Sequence, residues 1–417
     1  MAFNKRQLIV ALGGTCALLV AACSSSASSS GSGSAAAAGG GSSSSTKSVL
    51  ICNVTDLSGV QAPLAATEDA GGIAAADIIN AAGGIKSLGG AKLVVQKFDT
   101  QSNPDMGAPE ATKAVGAGCK AIWGGEITDT VLAGTAVTHR ADVPWMDIGG
   151  IGDEVHQRNF NDVFQTLTTT DIAEAYYTMM KAADTSLGIT DPTVGLSVSD
   201  TTYGQEFYSA WTALNKNGPF KVVTNVSYPL TTTDFSSIAD RMVSQHPQIL
   251  FNMGYPADGI ALARLFKQTF HTTAKAFFST AESAVAVPQL NALAQGQLFS
   301  ASSPPTSNPA LAKFNQVYQA NTGSAPSIEA WQGYTAVMFI AAALEKAGST
   351  SGSALASAIH GVTLTSSNGN IFPETLGFSS DGSPSYAPYY WQQDQSGKLV
   401  YVYPPDMKQA SLITYAG

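Results

Sequence analysis

The chain has 417 residues, with 21 basic and 30 acidic side chains, a net charge of −9 and only 12% charged residues, about half the usual share. That balance excludes a protein that tracks nucleic-acid phosphates, which needs clustered Lys and Arg. A hydrophobic content of 44% and a mean hydropathy of +0.07 exclude wholesale disorder, and no apolar run reaches the roughly 20 residues that cross a bilayer as a helix.

The first 46 residues do not read as folded domain. Lys5 and Arg6 precede an apolar stretch at 8–22 that closes on small side chains, the layout of a secretory signal (1–22). Its end, Val20-Ala21-Ala22-Cys23, resembles the bacterial lipobox, which implies that Cys23 becomes the lipidated first residue. Residues 24–46 are all Ser, Gly, Ala or Thr, so they bury nothing and read, with Cys23, as a tether at 23–46. The expected location is outside the cytoplasmic membrane, on its outer face, held by the lipid. Cys16 leaves with the signal, so Cys52 and Cys119 remain in an oxidising compartment. Two readings stay open for them: one disulfide, or two buried free thiols.

From residue 48 short β-branched runs alternate with longer stretches at helical spacing. Strands are expected at 49–54, 92–98, 121–123, 145–148, 193–198, 222–228, 249–252 and 276–279. Helices are expected between them at 64–81, 106–117, 130–140, 172–183, 204–215, 235–244, 259–269 and 284–293, and then at 310–320, 329–347 and 353–360. This is the order of α/β parallel sheets with right-handed crossovers, and the irregular passage at 150–169 divides it into two doubly wound lobes. Ligands of such sheets bind beyond the carboxyl ends of the strands, here the loops at 58–62, 125–130, 149–152, 200–204, 254–258 and 281–283.

Nothing in the motifs points to catalysis. The five His residues are scattered, and HExxH, GxSxG and GxxxxGK[ST] are absent. Two Cys and dispersed His also make a poor metal-ligand set, so no metal or cofactor is expected. The Gly-Gly-Ile-Gly run at 149–152 has two readings, a close backbone approach to a small ligand with amides free for a carboxylate, or a plain tight turn.

A resemblance covers nearly all of residues 48–400. The pieces TDLSG, INAAGGIK, KLVVQKFDT, GCKAIWGGEITDT and DVPWMDIGG, then SDTTYGQEF, TDFSSIADRM, NMGYPADG, STAESAV and AWQGYTAV, follow in an order similar to the type I periplasmic binding proteins, branched-chain amino acid branch. The resemblance implies two lobes joined by a three-crossover hinge, with 47–169 plus 299–380 in lobe 1 and 170–298 plus 381–417 in lobe 2. It implies a receptor for an ABC importer that binds an amino acid, an amide or another small carboxylate-bearing solute, hands it to permease and ATPase subunits, works as a monomer and does no chemistry. A ligand-sensing receptor of the same fold, or less plausibly an exported hydrolase, is the alternative.

Carried over by position, Thr128 supplies a hydroxyl to a ligand carboxylate, and Gly149, Gly150 and Ile151 form the adjoining loop, where Ile151 replaces a Thr. Leu64 replaces an aromatic wall residue. Tyr255 matches a Tyr that contacts ligand, and Glu282 matches the acid that pairs with a ligand ammonium, although a Glu there also reads as a helix cap. Tyr203 and Trp331 are candidate cleft aromatics. Asp171 is one residue out of register, and Asp56 and Asp200 read as turn or helix caps.

Overall fold

Alternating strands and helices assemble into two sheets in the computed structural model, which describes residues 47–301, 308–385 and 389–415. The expected export signal, Cys23 and the tether lie outside the described residues.

Strands β1 (Ser48–Thr55), β2 (Lys92–Asp99), β3 (Ile122–Gly124), β4 (Trp145–Asp147) and β5 (Val163–Gln165) form a parallel sheet in the order β2-β1-β3-β4-β5. Helices α1 (Ala62–Ala81), α2 (Gly107–Ala117), α3 (Thr128–Arg140) and α4 (Glu154–Gln157) connect them. Strand β5 and helix α4 fall in the passage that reads as irregular; β5 is only three residues long and pairs along β4. Strand order reverses between β1 and β3, which is where a doubly wound sheet opens a crevice. Cys52 on β1 and Cys119 just before β3 are joined by a disulfide, their Cα atoms 5.8 Å apart.

The second lobe begins at α5 (Thr169–Ser186), whose start is fixed by a reciprocal cap: the Asp171 amide donates to Thr168 Oγ1 and the Thr168 amide to the Asp171 carboxylate. Strands β6 (Thr193–Ser199), β7 (Lys221–Tyr228), β8 (Ile249–Met253), β9 (Ala276–Glu282) and β10 (Leu298–Ser300) run parallel, linked by α6 (Thr202–Leu214), α7 (Ser236–Val243), α8 (Pro256–Gln268) and α9 (Ser283–Leu290). Residues 299 and 300 thus sit in the second sheet. The chain returns to the first lobe for α10 (Pro309–Thr322), α11 (Ile328–Ala347) and α12 (Gly352–His360), whose Phe314, Tyr334, Val337 and Ile359 share a core with Trp123 and Phe164. It then crosses back for β11 (Trp391–Gln395), antiparallel to β10, and β12 (Lys398–Tyr403), antiparallel to β11, which complete the sheet order β12-β11-β10-β9-β8-β6-β7.

One packing detail positions the site. A Cβ on Gly71 of α1 would fall 1.9 Å from the Ala330 carbonyl oxygen, and one on Gly333 of α11 would fall 2.2 Å from that of Glu68. The two helices therefore touch backbone to backbone, which only glycine allows. That approach brings Glu68 of α1 and Glu329 of α11 to one end of the sheet.

Candidate functional site

Loops after β3 and β4, the start of α1 and the first turn of α11 face the loops after β8 and β9 and the start of α6. Between them lies a cavity that opens to solvent at its mouth. Leu64, Glu126, Gly149, Ile151 and Glu329 line it from the first lobe, and Tyr203, Tyr255, Thr280, Glu282 and Tyr389 from the second. A neighbouring, mostly apolar chamber shares Leu167, Ser300, Ile328, Gln332 and Tyr389 with it and continues to Trp331, Phe372 and Leu376.

The first-lobe wall is acidic. Thr55 donates to Glu68 at 2.8 Å, Thr100 donates to Asp56 at 2.5 Å, and Asp56 in turn accepts from the Glu126 amide at 3.2 Å, which fixes the loop after β3. Burial pushes the Glu68 carboxyl up to about 8, with the nearby Asp69 and Asp56 charges adding to the rise. Burial also raises Glu126 well above the ordinary carboxylate range, helped by Glu68, Glu329 and Asp56 beside it. Glu68 and Glu126 are hydrogen-bonding neighbours, which requires a proton between them. Behind the loop, burial lifts Asp147 to about 7, although Gln165 and the Gly150 amide donate to it.

Glu282 ends β9 and precedes α9, yet its side chain does not cap that helix. It reaches across the cleft, where Oε2 accepts from the Ile328 amide at the start of α11 at 2.9 Å. That helix terminus favours negative charge. Burial dominates even so, and with Glu329 adjacent it raises the Glu282 carboxyl well above its usual range. Apart from neighbouring carboxyls, no protein donor reaches Glu126 Oε1, Glu282 Oε1 or Glu329 Oε2, although these residues are only 6%, 2% and 8% exposed. At the cleft edge Thr202 donates to Asp129 at 2.5 Å and the Glu154 amide to Glu206 at 3.0 Å, so both lobes touch there.

The second-lobe wall is aromatic. Tyr203 packs on Tyr255 with centroids 5.6 Å apart and on Phe207 at 5.8 Å. Behind them Tyr176 meets Phe207, Phe251 and Trp391 at 4.6 to 5.4 Å, and its hydroxyl donates to the Ser279 carbonyl. Tyr255 is anchored through its amide, which donates to Asp258 at 3.0 Å, and Thr280 ties its loop to the Gly254 carbonyl at 2.6 Å.

Seven of the residues expected from sequence come together at the main cavity or its rim: Leu64, Gly149, Ile151, Tyr203, Tyr255 and Glu282 line it, and Gly150 lies behind Gly149. Trp331 lines the apolar chamber instead. Thr128 does not reach either space: it is 1% exposed and its hydroxyl accepts from the Gly152 amide at 3.1 Å. Nor are the Gly149 and Gly150 amides free for a carboxylate, because Gly149 donates to the Gly125 carbonyl and Gly150 to Asp147. The room that Gly149 leaves is filled by Glu126, whose Oε2 lies 2.4 Å from where a Cβ would be. Asp171 serves as a helix cap rather than a cleft acid. Sequence reasoning missed Glu126, Glu329 and Tyr389; the available signal was that the loops at 125–130, 254–258 and 281–283 carry acids and no Lys or Arg. Among the described residues no group of three or more His, Cys, Asp or Glu is arranged to hold a metal ion.

Residues 48–397 match the family model described as periplasmic binding protein. The Leu/Ile/Val-binding protein homolog 3 of Brucella melitensis biotype 1 is 28% identical over 360 residues, 83% of this chain and 91% of that protein. Two solved structures share the fold. The leucine binding protein LivK of Thermotoga maritima has a TM-score of 0.74 and 20% identity over 86% of this chain and 99% of its own. The branched-chain amino acid transporter substrate binding protein LivJ of Streptococcus pneumoniae, in complex with isoleucine, has a TM-score of 0.72 and 19% identity over 85% and 98%. A two-lobed parallel-sheet body, a cleft at the strand ends and a match across 48–397 lead to one conclusion: the chain belongs to the periplasmic binding protein family and has its type I fold.

Proposed function

We propose that this protein is the exported solute receptor of an ABC importer, anchored through Cys23, which captures a small amine-bearing solute between its lobes and releases it unchanged to permease and ATPase subunits. The observation that carries this reading is Glu282: a buried acid on a second-lobe strand lines the cavity, accepts from the first turn of a first-lobe helix and has, beyond the neighbouring Glu329 carboxyl, no protein donor on its other oxygen. A ligand ammonium placed there binds both lobes at once, and only such a bridging contact favours a closed form over an open one. The all-small, uncharged composition of 24–46 supports attachment at a membrane, because such a sequence buries nothing and reads as a tether.

A thermal-shift screen of the exported protein against amino acids, amides, amines and carboxylic acids tests the reading. One chemical class is expected to raise the melting temperature in proportion to the logarithm of its concentration. A flat response across the whole panel, or turnover of any member, contradicts it.

A further inference from the structure

The cavity combines three buried carboxyls with an absence of compensating charge. Glu126, Glu282 and Glu329 line it, and among its described lining residues there is no Lys, Arg or His. The two short internal stretches outside the described residues, 302–307 and 386–388, contain no basic residue either. Each of the three acids keeps an oxygen with no donor beyond neighbouring carboxyls while more than nine-tenths buried. A buried acceptor in that state is stabilised by an incoming donor, most of all a cationic one.

The donors expected for a ligand carboxylate are not offered to the cavity: the Gly149 and Gly150 N–H groups are engaged within the protein, and Thr128 is buried behind the wall, where its Oγ1 accepts from the Gly152 amide. The donors that the cavity lining does offer, such as the Tyr255 hydroxyl and the Gln332 amide, are neutral. The position against Gly149 is occupied by the Glu126 carboxyl, which would repel a ligand carboxylate. Past the Ile328 and Gln332 rim the space opens into the chamber of Trp331, Phe372 and Leu376, so an apolar remainder has somewhere to go.

We propose that the solute is an organic cation without a free carboxylate, whose amine or amidine head sits among Glu126, Glu282 and Glu329 and whose apolar tail enters the chamber lined by Trp331, Phe372 and Leu376. This rests on the reading of the cleft as a solute site. The three acids act as a graded sink for the head group, and the tail supplies apolar burial without adding charge.

Matched pairs of probes test it by calorimetry on the full exported protein: 3-methylbutylamine against leucine, and 2-phenylethylamine against phenylalanine, with 3-phenylpropionamide as a neutral control. In each pair the amine is expected to bind at least tenfold tighter than the amino acid, and the amide at least tenfold more weakly than 2-phenylethylamine. Glu126→Gln keeps the shape and removes the charge; it is expected to narrow the amine preference by threefold or more. The proposal is overturned if either amino acid binds as tightly as its amine, if the neutral amide binds best, or if Glu126→Gln leaves the ratio unchanged. The wild-type ratios decide by themselves should the variant not fold. Tight binding of the amino acids defeats the cation proposal and leaves the solute-receptor reading standing, whereas no binding by any probe, together with a flat thermal-shift panel, defeats both.

Discussion

The first-lobe wall of the cleft rests on buried carboxyls, Asp56, Glu68, Glu126 and Asp147, whereas the second-lobe wall rests on aromatic rings running from Tyr255 and Tyr203 through Phe207 and Tyr176 to Trp391. Rings held on several sides keep one geometry at any pH. Carboxyls held by one or two donors change protonation with pH and with what enters the cleft. The difference assigns shape to one wall and charge recognition to the other, so perturbing the first kind should damage stability and perturbing the second should damage affinity.

The largest effect is expected from breaking the aromatic wall. Trp391 is fully buried and meets Tyr176 at 4.6 Å and Phe278 at 6.0 Å. Trp391→Ala should lower unfolding stability by about 3 to 5 kcal/mol in denaturant titrations, the cost of emptying a large core site. A loss below about 1 kcal/mol would mean that the rings do not hold the wall.

Glu282→Ala comes next and strikes the acid that joins both lobes. Affinity for an amine-bearing solute should fall by about 2 to 5 kcal/mol in calorimetry, because the buried ligand charge loses the acid that joins it to both lobes. An unchanged dissociation constant would take Glu282 out of the site.

The acidic wall also has a pH signature. Glu68 titrates near 4.5 when unfolded and near 8 when folded. Between those values the folded protein holds a proton that the unfolded chain has lost, so stability declines as pH rises through that window. Asp147, lifted from 3.8 to about 7, acts in the same sense. Glu68→Gln should make the decline shallower in denaturant titrations at pH 5, 6, 7 and 8; an unaltered slope would mean that Glu68 keeps its charge.

The smallest effect concerns the cleft edge. Thr202→Val removes the bond to Asp129 and should weaken binding by about 0.5 to 1.5 kcal/mol without changing the pH profile of stability. A stability loss with unchanged affinity would place this contact in folding rather than closure.

Much of the fold is legible in the chain because β1 to β4 and β6 to β9 are apolar or β-branched runs ended by Gly, Pro or Asx breaks. Of the missed strands, β12 does carry that signal, Lys-Leu-Val-Tyr-Val-Tyr between Gly397 and Pro404, whereas β5, β10 and β11 lack it. β11 reads Trp-Gln-Gln-Asp-Gln, yet it is buried because its polar side chains are satisfied internally: Gln393 donates to the Gly296 and Ile413 carbonyls. β5 (Val-Phe-Gln) and β10 (Leu-Phe-Ser) are three residues long like β3 and β4, but neither is ended by a Gly, Pro or Asx break. In the site, Glu282 and Tyr255 are legible through the family resemblance, in loops that the strand pattern puts at the carboxyl ends of strands. Thr128 was expected at the ligand because its loop position is right, but Glu126 and Gly149 decide which side chain reaches the cavity, and their packing is invisible to spacing. Glu329 reads as an ordinary helix-start acid until α1 and α11 are seen to touch through Gly71 and Gly333.

The most direct test titrates wild-type and Glu282→Ala protein side by side with the solute that raises the melting temperature most, and recovers that solute afterwards for mass analysis. The account predicts one solute per chain, recovered intact, with affinity reduced at least thirtyfold in the variant. Equal affinity in the two proteins, or a solute of altered mass, would contradict it.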